Sequence, residues 1–383
     1  MTPDKSGEFS LHFESGNEAF GNGEFDQALR AYSRSYQINA RHTVLNGNIA
    51  ATLYELGQFD RAKNFAKRAI ELNPEFNRPH VTLGMLHLLN EDFSLGWPEY
   101  EWTATLADKF KTLPEERKWR GESLRNCRIV VIDEQGYGDT IQFLRFSRFL
   151  VEAGAEVFLD IKKPLRRLGE ANPQLGSVLQ SDQALEFTYW TRLLSIPAVI
   201  NAEAKQIPTT PGYLVAPPLR ADSRINHVSG RKIGVIWKGS DVNGRDKIRS
   251  VRLSDLKPLI QLSEAHADLH FFHLHHQSFG EEINQAGLAG AITELHNEIS
   301  DFADLAAVIH SLDLVITIDT AVAHLAGALG KKTYCILSHV PDWRWGINRS
   351  DSLWYPNTRL FRQPIPDDWQ SPIDQIIQEV AHF

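Results

Sequence analysis

The sequence predicts a helical solenoid followed by two α/β units. In the first third of the chain, residues recur with a period of 34, as in stacked helical hairpins. The remainder alternates short β-branched runs with segments of helical periodicity, which is typical of parallel sheets with crossover helices. These runs form two series, separated by a proline-rich passage that ends near Leu219. We therefore expect a cleft between two sets of strand ends.

Composition indicates an ordinary globular protein and argues against some functions. The 383 residues are 42% hydrophobic and 23% charged, and the net charge of -8 argues against a general nucleic-acid binder. The N-terminus has no apolar core of the signal-peptide type, and no run is long enough to cross a membrane, so we expect a cytoplasmic location. Cys127 and Cys335 lie in apolar runs, which predicts buried free thiols.

The 34-residue period identifies the type of repeat. It places Phe25, Phe59 and Phe93 in register, and Gly23 over Gly57. Small residues where two helices cross, with an aromatic residue after the turn, are the tetratricopeptide signature. Each unit should be a helical hairpin that buries its apolar face by stacking on its neighbours.

The third unit departs from this pattern. Its second half carries large and helix-breaking residues in place of the usual alanine-rich helix. These are Gly96, Trp97, Pro98, Tyr100 and Trp102. Two interpretations stay open, namely a terminal repeat that docks on another domain and an aromatic groove for a ligand.

One strand-turn-helix stretch carries the main functional prediction. Leu314 to Ile318 predict a buried strand. Asp319 and Thr320 favour the start of a helix, which continues as a small apolar segment from Ala321. Free backbone N–H groups at such a helix head bind phosphate, so the stretch predicts a diphosphate site. Because any α/β protein has several such turns, a purely structural turn is the alternative.

The first α/β unit carries a second candidate. Its pattern predicts a strand over Cys127–Ile132, a glycine-containing turn over Glu134–Asp139 and a helix over Thr140–Ala153. Asp139, at the head of that helix, is either an N-cap or a catalytic carboxylate that faces the cleft. Farther along, a short strand is expected near Ala198–Ile200.

The second α/β unit begins with a strand over Lys232–Trp237 and a cationic loop over Lys238–Arg249. The other elements predicted there are a helix over Leu253–Leu262, a strand over Leu269–Leu274, a helix over Asp301–Ser311, a strand over Thr333–Leu337 and a C-terminal helix over Pro372–His382.

Histidines and aromatic residues add weaker signals. His273 and His275 share one face of a strand and could ligate a metal, but we expect no Cys or nearby carboxylate to complete the set. The alternative is a strand end that contacts a nucleotide. Trp343–Trp345 and Trp354–Tyr355 are expected either to anchor loops or to stack on a sugar.

Five motifs follow one another from Trp119 onward. They are KWRGESL, EQGYGDTIQFLRFSRFL, GVIWKGS followed by DKIRSVRL, LDLVITIDTAVAHLAGALGKKTY, and VPDWRWGINRSDSLWYPNTRLFRQ. In these motifs the chain resembles bacterial tetratricopeptide glycosyltransferases with a GT-B fold, which are related to the ADP-heptose-dependent heptosyltransferases and, more distantly, to the O-linked N-acetylglucosamine transferases. The resemblance implies two Rossmann-like domains, a nucleotide-sugar donor held mainly by the second, and inverting transfer without a metal.

The expected organisation combines the repeats with this resemblance. It comprises tetratricopeptide repeats over residues 1–108, a linker over 109–126, an acceptor-side Rossmann-like domain over 127–222, a nucleotide-sugar Rossmann-like domain over 223–365 and a closing helix over 366–383.

The resemblance also implies site residues. Asp139 matches the heptosyltransferases' proposed general base, which would take the proton from the acceptor hydroxyl. The diphosphate-binding turn is matched by Asp319, Thr320, Ala321, Val322 and His324. The loop across the cleft is matched by Lys238, Ser240 and Arg249. Further donor or acceptor contacts are expected from Tyr137, Gly138, Gln142, His275 and Arg344.

The resemblance also implies a role for each of these residues. The N–H groups of Ala321 and Val322, with the Thr320 hydroxyl, would stabilise the departing diphosphate. Asp319 would be a cap or a sugar contact, and His324 either a phosphate donor or a core residue. A cation of the facing loop would replace a metal, so we expect no cofactor beyond the nucleotide sugar.

Three functions follow as hypotheses. The leading one is transfer of a sugar, with ADP-heptose as the first donor to consider, to a protein hydroxyl gripped by the repeats. The second is the same chemistry on a lipopolysaccharide or glycan acceptor, with the repeats used for assembly, including a homo-oligomer. The third is a non-enzymatic adaptor with an inactive transferase domain.

Overall fold

The computed structural model describes residues 5–106, 110, 112–180, 185–203, 207, 212–239 and 246–383. A helical array occupies the first part of the chain, and two parallel sheets with crossover helices occupy the rest. The predicted fold class is therefore confirmed. No helix in these ranges is both long and apolar enough to cross a membrane.

The repeats form helical hairpins as the period predicts. The helices are α1 (Lys5–Gly21), α2 (Phe25–Ile38), α3 (Thr43–Glu55), α4 (Phe59–Leu72), α5 (Asn77–Leu89) and α6 (Phe93–Tyr100). Small residues stand where helices cross. A Cβ on Gly16 would lie 2.4 Å from the Tyr32 ring, and one on Gly84 would lie 2.7 Å from the Tyr100 backbone nitrogen. The periodic glycines therefore set how closely the helices approach.

The third repeat ends in a docked aromatic segment. α6 continues directly into a 3-10 helix over Glu101–Leu106. Trp97 is buried, and its Nε1 donates to the Ala202 carbonyl at 2.8 Å. Its ring meets Trp343 and Trp354 edge to face, with centroids 5.8 and 6.5 Å apart. The docking interpretation of this repeat is confirmed, since these aromatic rings pack against the α/β region.

The first α/β unit contains a parallel sheet in the order β3-β2-β1-β4. Its elements are β1 (Arg128–Ile132), α7 (Tyr137–Glu152), β2 (Glu156–Asp160), α8 (Arg166–Glu170), β3 (Ser177–Val178), β4 (Tyr189–Arg192) and α9 (Ile196–Val199). The strand predicted near Ala198–Ile200 is wrong. Pro197 opens a short helix there, and the fourth strand lies earlier, where it hydrogen-bonds to β1.

The second α/β unit contains a parallel sheet in the order β10-β9-β8-β5-β6-β7. Its elements are β5 (Arg231–Ile236), α10 (Asp246–Arg249), α11 (Leu253–Ile260), α12 (Leu262–Ala265), β6 (Leu269–His273), α13 (Gly280–Gln285), β7 (Ile292–Glu294), α14 (Phe302–His310), β8 (Leu314–Ile318), α15 (Ala321–Ala328), β9 (Thr333–Leu337), β10 (Thr358–Arg362) and α16 (Gln370–Ala381). The predicted strands and the helices α14 and α16 are confirmed to within two residues. The helix predicted over Leu253–Leu262 ends at Ile260, and α12 follows it after a break.

The two cysteines differ in burial. Both thiols are free, as predicted. Cys335 lies inside β9, and burial raises the pKa of its thiol well above the usual value. Cys127 precedes β1 and is only partly buried, so the prediction of a buried thiol there is wrong.

Trp97→Ala tests how firmly the repeats are docked. Removing a buried indole from a packed junction should lower the free energy of unfolding by about 3–5 kcal/mol. Leu95→Ala is the matched control, because Leu95 lies on the same helix and is 56% exposed. Urea unfolding monitored by circular dichroism measures both. Equal midpoints for the two variants would contradict a structural role for the Trp97 contacts.

Candidate functional site

The helix head after β8 forms where the sequence predicts. β8 ends at Ile318, Thr320 has an extended backbone (φ -141°, ψ 175°), and α15 begins at Ala321. The Thr320 hydroxyl accepts a hydrogen bond from the Val322 N–H over 3.3 Å. Thr320 is therefore the N-cap, and Asp319 is not. The Val322 N–H, which we expected to face a phosphate, is engaged by this cap.

Arg249 brings positive charge to the helix head. Its Nη1 donates to the Asp319 carbonyl at 2.8 Å, and its Nε lies 3.3 Å from Asp246 Oδ1. Gly239 leaves room for the guanidinium, because a Cβ there would lie 2.6 Å from Arg249 Nη2. The cationic loop thus reaches the end of β8. Ser240, from the same predicted set, lies outside the described residues.

Lys238 and His275 lie farther along the same sheet edge, against Phe279. Lys238 follows β5, and its Nζ is 6.0 Å from the centre of the Phe279 ring. His275 follows β6, with its ring centre 4.9 Å from that of Phe279. It is buried, and its Nδ1 accepts from the Gln277 N–H at 3.0 Å. These two residues share Phe279 as a neighbour, whereas Arg249 contacts the helix head directly.

The histidine run has a carboxylate neighbour that sequence analysis missed. Glu294 Oε1 lies 3.9 Å from Nδ1 of both His273 and His296. The expectation of no nearby carboxylate is wrong, because β7 pairs with β6 and sets Glu294 beside His273. Burial, followed by the nearby histidines, lowers the pKa of His273 to about 3. Over the described ranges, no group of three or more His, Cys, Asp or Glu side chains is arranged to hold a metal ion.

Asp139 lies in the first turn of α7 and is not its N-cap. The helix begins at Tyr137 rather than Thr140, because Gly136 takes the extended conformation of an N-cap (φ -85°, ψ 174°). Asp139 Oδ2 accepts from the Gly136 N–H at 2.8 Å, and its Oδ1 accepts from the Arg344 guanidinium. The carboxylate thus closes the first turn of α7 and pairs with a residue of the second α/β unit.

The Arg344 guanidinium links the two α/β units. Besides Asp139, it donates to Gln142 Oε1 at 2.6 Å and to Asp342 Oδ1 at 2.8 Å. Burial disfavours its charge, but the Asp342 and Asp139 carboxylates raise its pKa well above the usual value. Gln142 is fully buried, and its Nε2 has no hydrogen-bond partner among the described residues. The site therefore holds a fixed cation with an amide donor beside it.

His324 is buried behind the helix head. Its ring stacks on Trp345 with centroids 5.4 Å apart, and its Nδ1 lies 2.9 Å from the Tyr355 hydroxyl. Burial, followed by the positive charge of Arg344, lowers its pKa to about 3. The ring is therefore neutral near pH 7, with one N–H to donate.

The first turn of α7 meets the head of α15 at Gly138. A Cβ on Gly138 would lie 2.7 Å from His324 Cδ2 and 3.4 Å from Ala321 Cα, so only glycine permits this approach. Tyr137, the neighbouring residue, instead packs on Phe302 of α14 with ring centres 5.0 Å apart. The structure thus brings Gly138 to the predicted diphosphate turn and directs Tyr137 away from it.

Sequence analysis missed Asp342. Asp342 caps a short 3-10 turn over Trp343–Trp345 and also binds Arg344, yet the sequence offered only the local cap signal. Tyr355 was expected to anchor a loop or to stack on a sugar. Tyr355 is 1% exposed and Trp345 is 0% exposed. Neither ring has a free face for a sugar, so the loop-anchor interpretation is confirmed.

Comparison with known families identifies two regions. The tetratricopeptide repeat model matches residues 19–83, and the model of glycosyltransferase family 9 (heptosyltransferase) matches residues 271–348. The second match includes β8, α15 and the loop that carries Arg344. Both regions agree with those predicted from the sequence motifs.

Individual relatives are more distant. Protein FlbA of Caulobacter vibrioides is 24% identical over 396 aligned residues, which cover 94% of this chain and 63% of FlbA. The chain therefore spans less than two thirds of that relative. Among solved structures, E. coli ADP-heptose LPS heptosyltransferase II has a TM-score of 0.47 at 11% identity, covering 67% of this chain and 98% of that chain. A Thermobaculum terrenum O-GlcNAc transferase mutant has a TM-score of 0.29 at 14% identity, covering 90% and 84%.

Gly138→Ala tests the contact between the two α/β units. The added methyl group would overlap the His324 ring, so the first turn of α7 and the head of α15 must move apart, at an expected cost of about 1–3 kcal/mol in the free energy of unfolding. Gly21→Ala is the control, because a Cβ there meets nothing within 4 Å. Thermal unfolding checks both. A Gly138→Ala variant as stable as the control would contradict the close approach.

The buried neutral histidines predict a loss of stability in acid. Below its usual pKa of 6.5, His324 takes up a proton in the unfolded chain, but in the folded chain only near pH 3. The stabilisation is therefore complete above pH 6.5 and falls as the pH drops towards 3, by at most about 1.4 kcal/mol per pH unit. The free energy of unfolding, measured in urea, should change less between pH 7 and pH 5 for His324→Gln than for the wild type. The exposed His310→Gln control should keep the wild-type difference, and equal differences in all three would contradict this prediction.

Proposed function

We propose that this chain, a glycosyltransferase that joins tetratricopeptide repeats to a family 9 domain, transfers a sugar from a nucleotide diphosphate to a hydroxyl of a protein. One observation carries the proposal. Gly138, beside the candidate base Asp139, lies against Ala321 and His324 at the head of α15. An acceptor activated on one side would therefore face a diphosphate bound on the other.

The charge of the leaving group can be met without a metal. The reaction breaks the bond between the anomeric carbon and the diphosphate, which leaves with the bonding electrons. The N-terminal end of α15 carries partial positive charge, and Arg249 adds a full charge by bonding to the Asp319 carbonyl there. Arg344 lies close enough to His324 to help lower its pKa, so a second cation adjoins the same helix.

Asp139 would act as the general base. Each carboxylate oxygen already accepts one hydrogen bond, from Gly136 or from Arg344. A carboxylate offers about four acceptor positions, so lone pairs remain for an incoming hydroxyl. The side chain is 19% exposed, which leaves it an open side. The acceptor oxygen would lose its proton to Asp139 as it attacks the anomeric carbon, and attack opposite the leaving diphosphate gives inversion.

The repeats favour a polypeptide acceptor or partner. Tetratricopeptide repeats are modules of protein interaction, and concave solenoids suit extended chains. ADP-heptose is the first donor to test, because the family 9 model is that of heptosyltransferases. A glycan or lipopolysaccharide acceptor is the alternative outcome of the acceptor test.

Release of nucleotide diphosphate tests this function. Purified protein should release nucleotide from one member of a panel of ADP-, UDP- and GDP-sugars, and faster with polypeptides of its host than with free oligosaccharide. If the protein turned over with free oligosaccharide but with no polypeptide, the hypothesis of a protein acceptor would be wrong. Thermal-shift measurements with the same panel distinguish an active transferase from an inactive adaptor, because no nucleotide diphosphate would stabilise the adaptor.

Asp139→Asn tests the base. The amide keeps the size of the side chain but cannot take the proton, so kcat should fall by at least about 10²-fold while donor affinity changes little. Asp342→Asn is the matched control, because Asp342 is the other carboxylate on Arg344 and has no proton to accept in this mechanism. Unchanged kcat in Asp139→Asn, or equal losses in both variants, would remove Asp139 from the base role.

A further inference from the structure

We infer that Tyr100, the last residue of α6 in the third repeat, is a positioning residue for the transferase centre. It contacts two side chains at once, that of Gln135 in the turn before α7 and that of Trp343, the residue before Arg344. This inference rests on the proposed function only in taking Asp139 and Arg344 as parts of that centre. It makes the repeat array a structural component of the site.

The first contact of Tyr100 is made by its hydroxyl. It donates to Gln135 Oε1 at 3.2 Å. Gln135 has φ 57°, a left-handed conformation that is uncommon outside glycine, asparagine and aspartate. The next residue, Gly136, is the N-cap of α7 and donates to Asp139. The bond from Tyr100 therefore anchors the side chain of a residue in a strained backbone conformation, directly before the N-cap of the helix that carries Asp139.

The second contact of Tyr100 is made by its ring. It meets the Trp343 ring edge to face, with centroids 5.5 Å apart. The Arg344 guanidinium lies over Trp343, 4.3 Å from the ring centre, in a cation–π contact. Trp343 is 2% exposed, so it has little freedom to move without Tyr100. The position of Arg344 thus depends on packing against the repeat.

Tyr100 itself is fixed by the repeat. Its side chain is buried, and burial raises the pKa of its hydroxyl, so the group stays protonated and remains a donor. Helix α5 packs on its backbone at Gly84, where a Cβ would be 2.7 Å from the Tyr100 nitrogen. The hairpin geometry of the third repeat therefore determines where the Tyr100 hydroxyl and ring stand.

Tyr100→Phe tests the hydroxyl contact while keeping the ring. Loss of this hydrogen bond should lower kcat by about five- to tenfold. The KM for the donor should stay within about twofold, because Tyr100 touches none of the proposed donor-binding residues directly and acts on Arg344 only through Trp343. Tyr32→Phe is the matched control: Tyr32 is also buried, lies in the same array, and donates to Asn17 Oδ1 at 2.8 Å, away from the site. Its kcat should be unchanged. Equal losses in both variants, or no loss in Tyr100→Phe, would overturn the inference.

Hydrogen exchange provides a readout that does not need turnover. In Tyr100→Phe, amides from Gln135 to Asp139 should exchange faster than in the wild type, and in Tyr32→Phe they should not. If the wild type lacked turnover with every nucleotide sugar, the proposed function would fail, and these exchange rates would still decide the role of Tyr100. Unchanged exchange at these amides would overturn it.

Gln135→Gly tests the route of the effect. Glycine adopts φ 57° without help, so the Tyr100 hydroxyl should no longer matter there. In the Gln135→Gly background, Tyr100→Phe should therefore change kcat by less than about twofold. A full five- to tenfold loss in that background would show that the hydroxyl acts elsewhere and would overturn the Gln135 route.

Discussion

The buried guanidinium of Arg344 is the interaction on which the site depends. A charged group removed from water must be paired and fully hydrogen-bonded, or the cost of burial is several kcal/mol. Asp342 comes from the same loop, but Asp139 and Gln142 come from α7 in the other α/β unit. The guanidinium of Arg344 therefore has its full set of hydrogen bonds only when α7 of the first α/β unit lies against its loop. Of the two cations beside the proposed diphosphate site, Arg344 also binds the proposed base.

Aromatic packing extends this arrangement to the repeats. Repeat arrays are usually quasi-one-dimensional, with each unit in contact only with its neighbours. Here the last hairpin shares a hydrophobic cluster with both α/β units, through Trp97, Phe143 and Trp354. An ion pair between Glu91 and Arg349 closes the edge of the same junction. The array is thus packed directly against the sheets.

Much of the fold could be predicted because its signals are local. The β-branched run of β8 and the capping residue Thr320 each determine structure over a few residues, and both were identified from pattern. Three apolar residues cannot distinguish a strand from a turn of helix, so α9 was assigned wrongly. The turn before α7 was misplaced because the extended backbone of Gly136 leaves no mark in the sequence. Contacts of Arg344 with α7 join residues about 200 positions apart, and no single-sequence pattern pairs them.

The aromatic end of the third hairpin limits how such an array can grow. A solenoid normally accepts new modules at either end or in its middle, because each added unit offers the same stacking face as the one before it. In this chain, tryptophans of the α/β region pack on Phe93 and Trp97 of α6, where another hairpin would otherwise stack. An extra hairpin therefore cannot stack beyond α6 without displacing these tryptophans, so the array can lengthen only on the side of α6 that faces away from the α/β region.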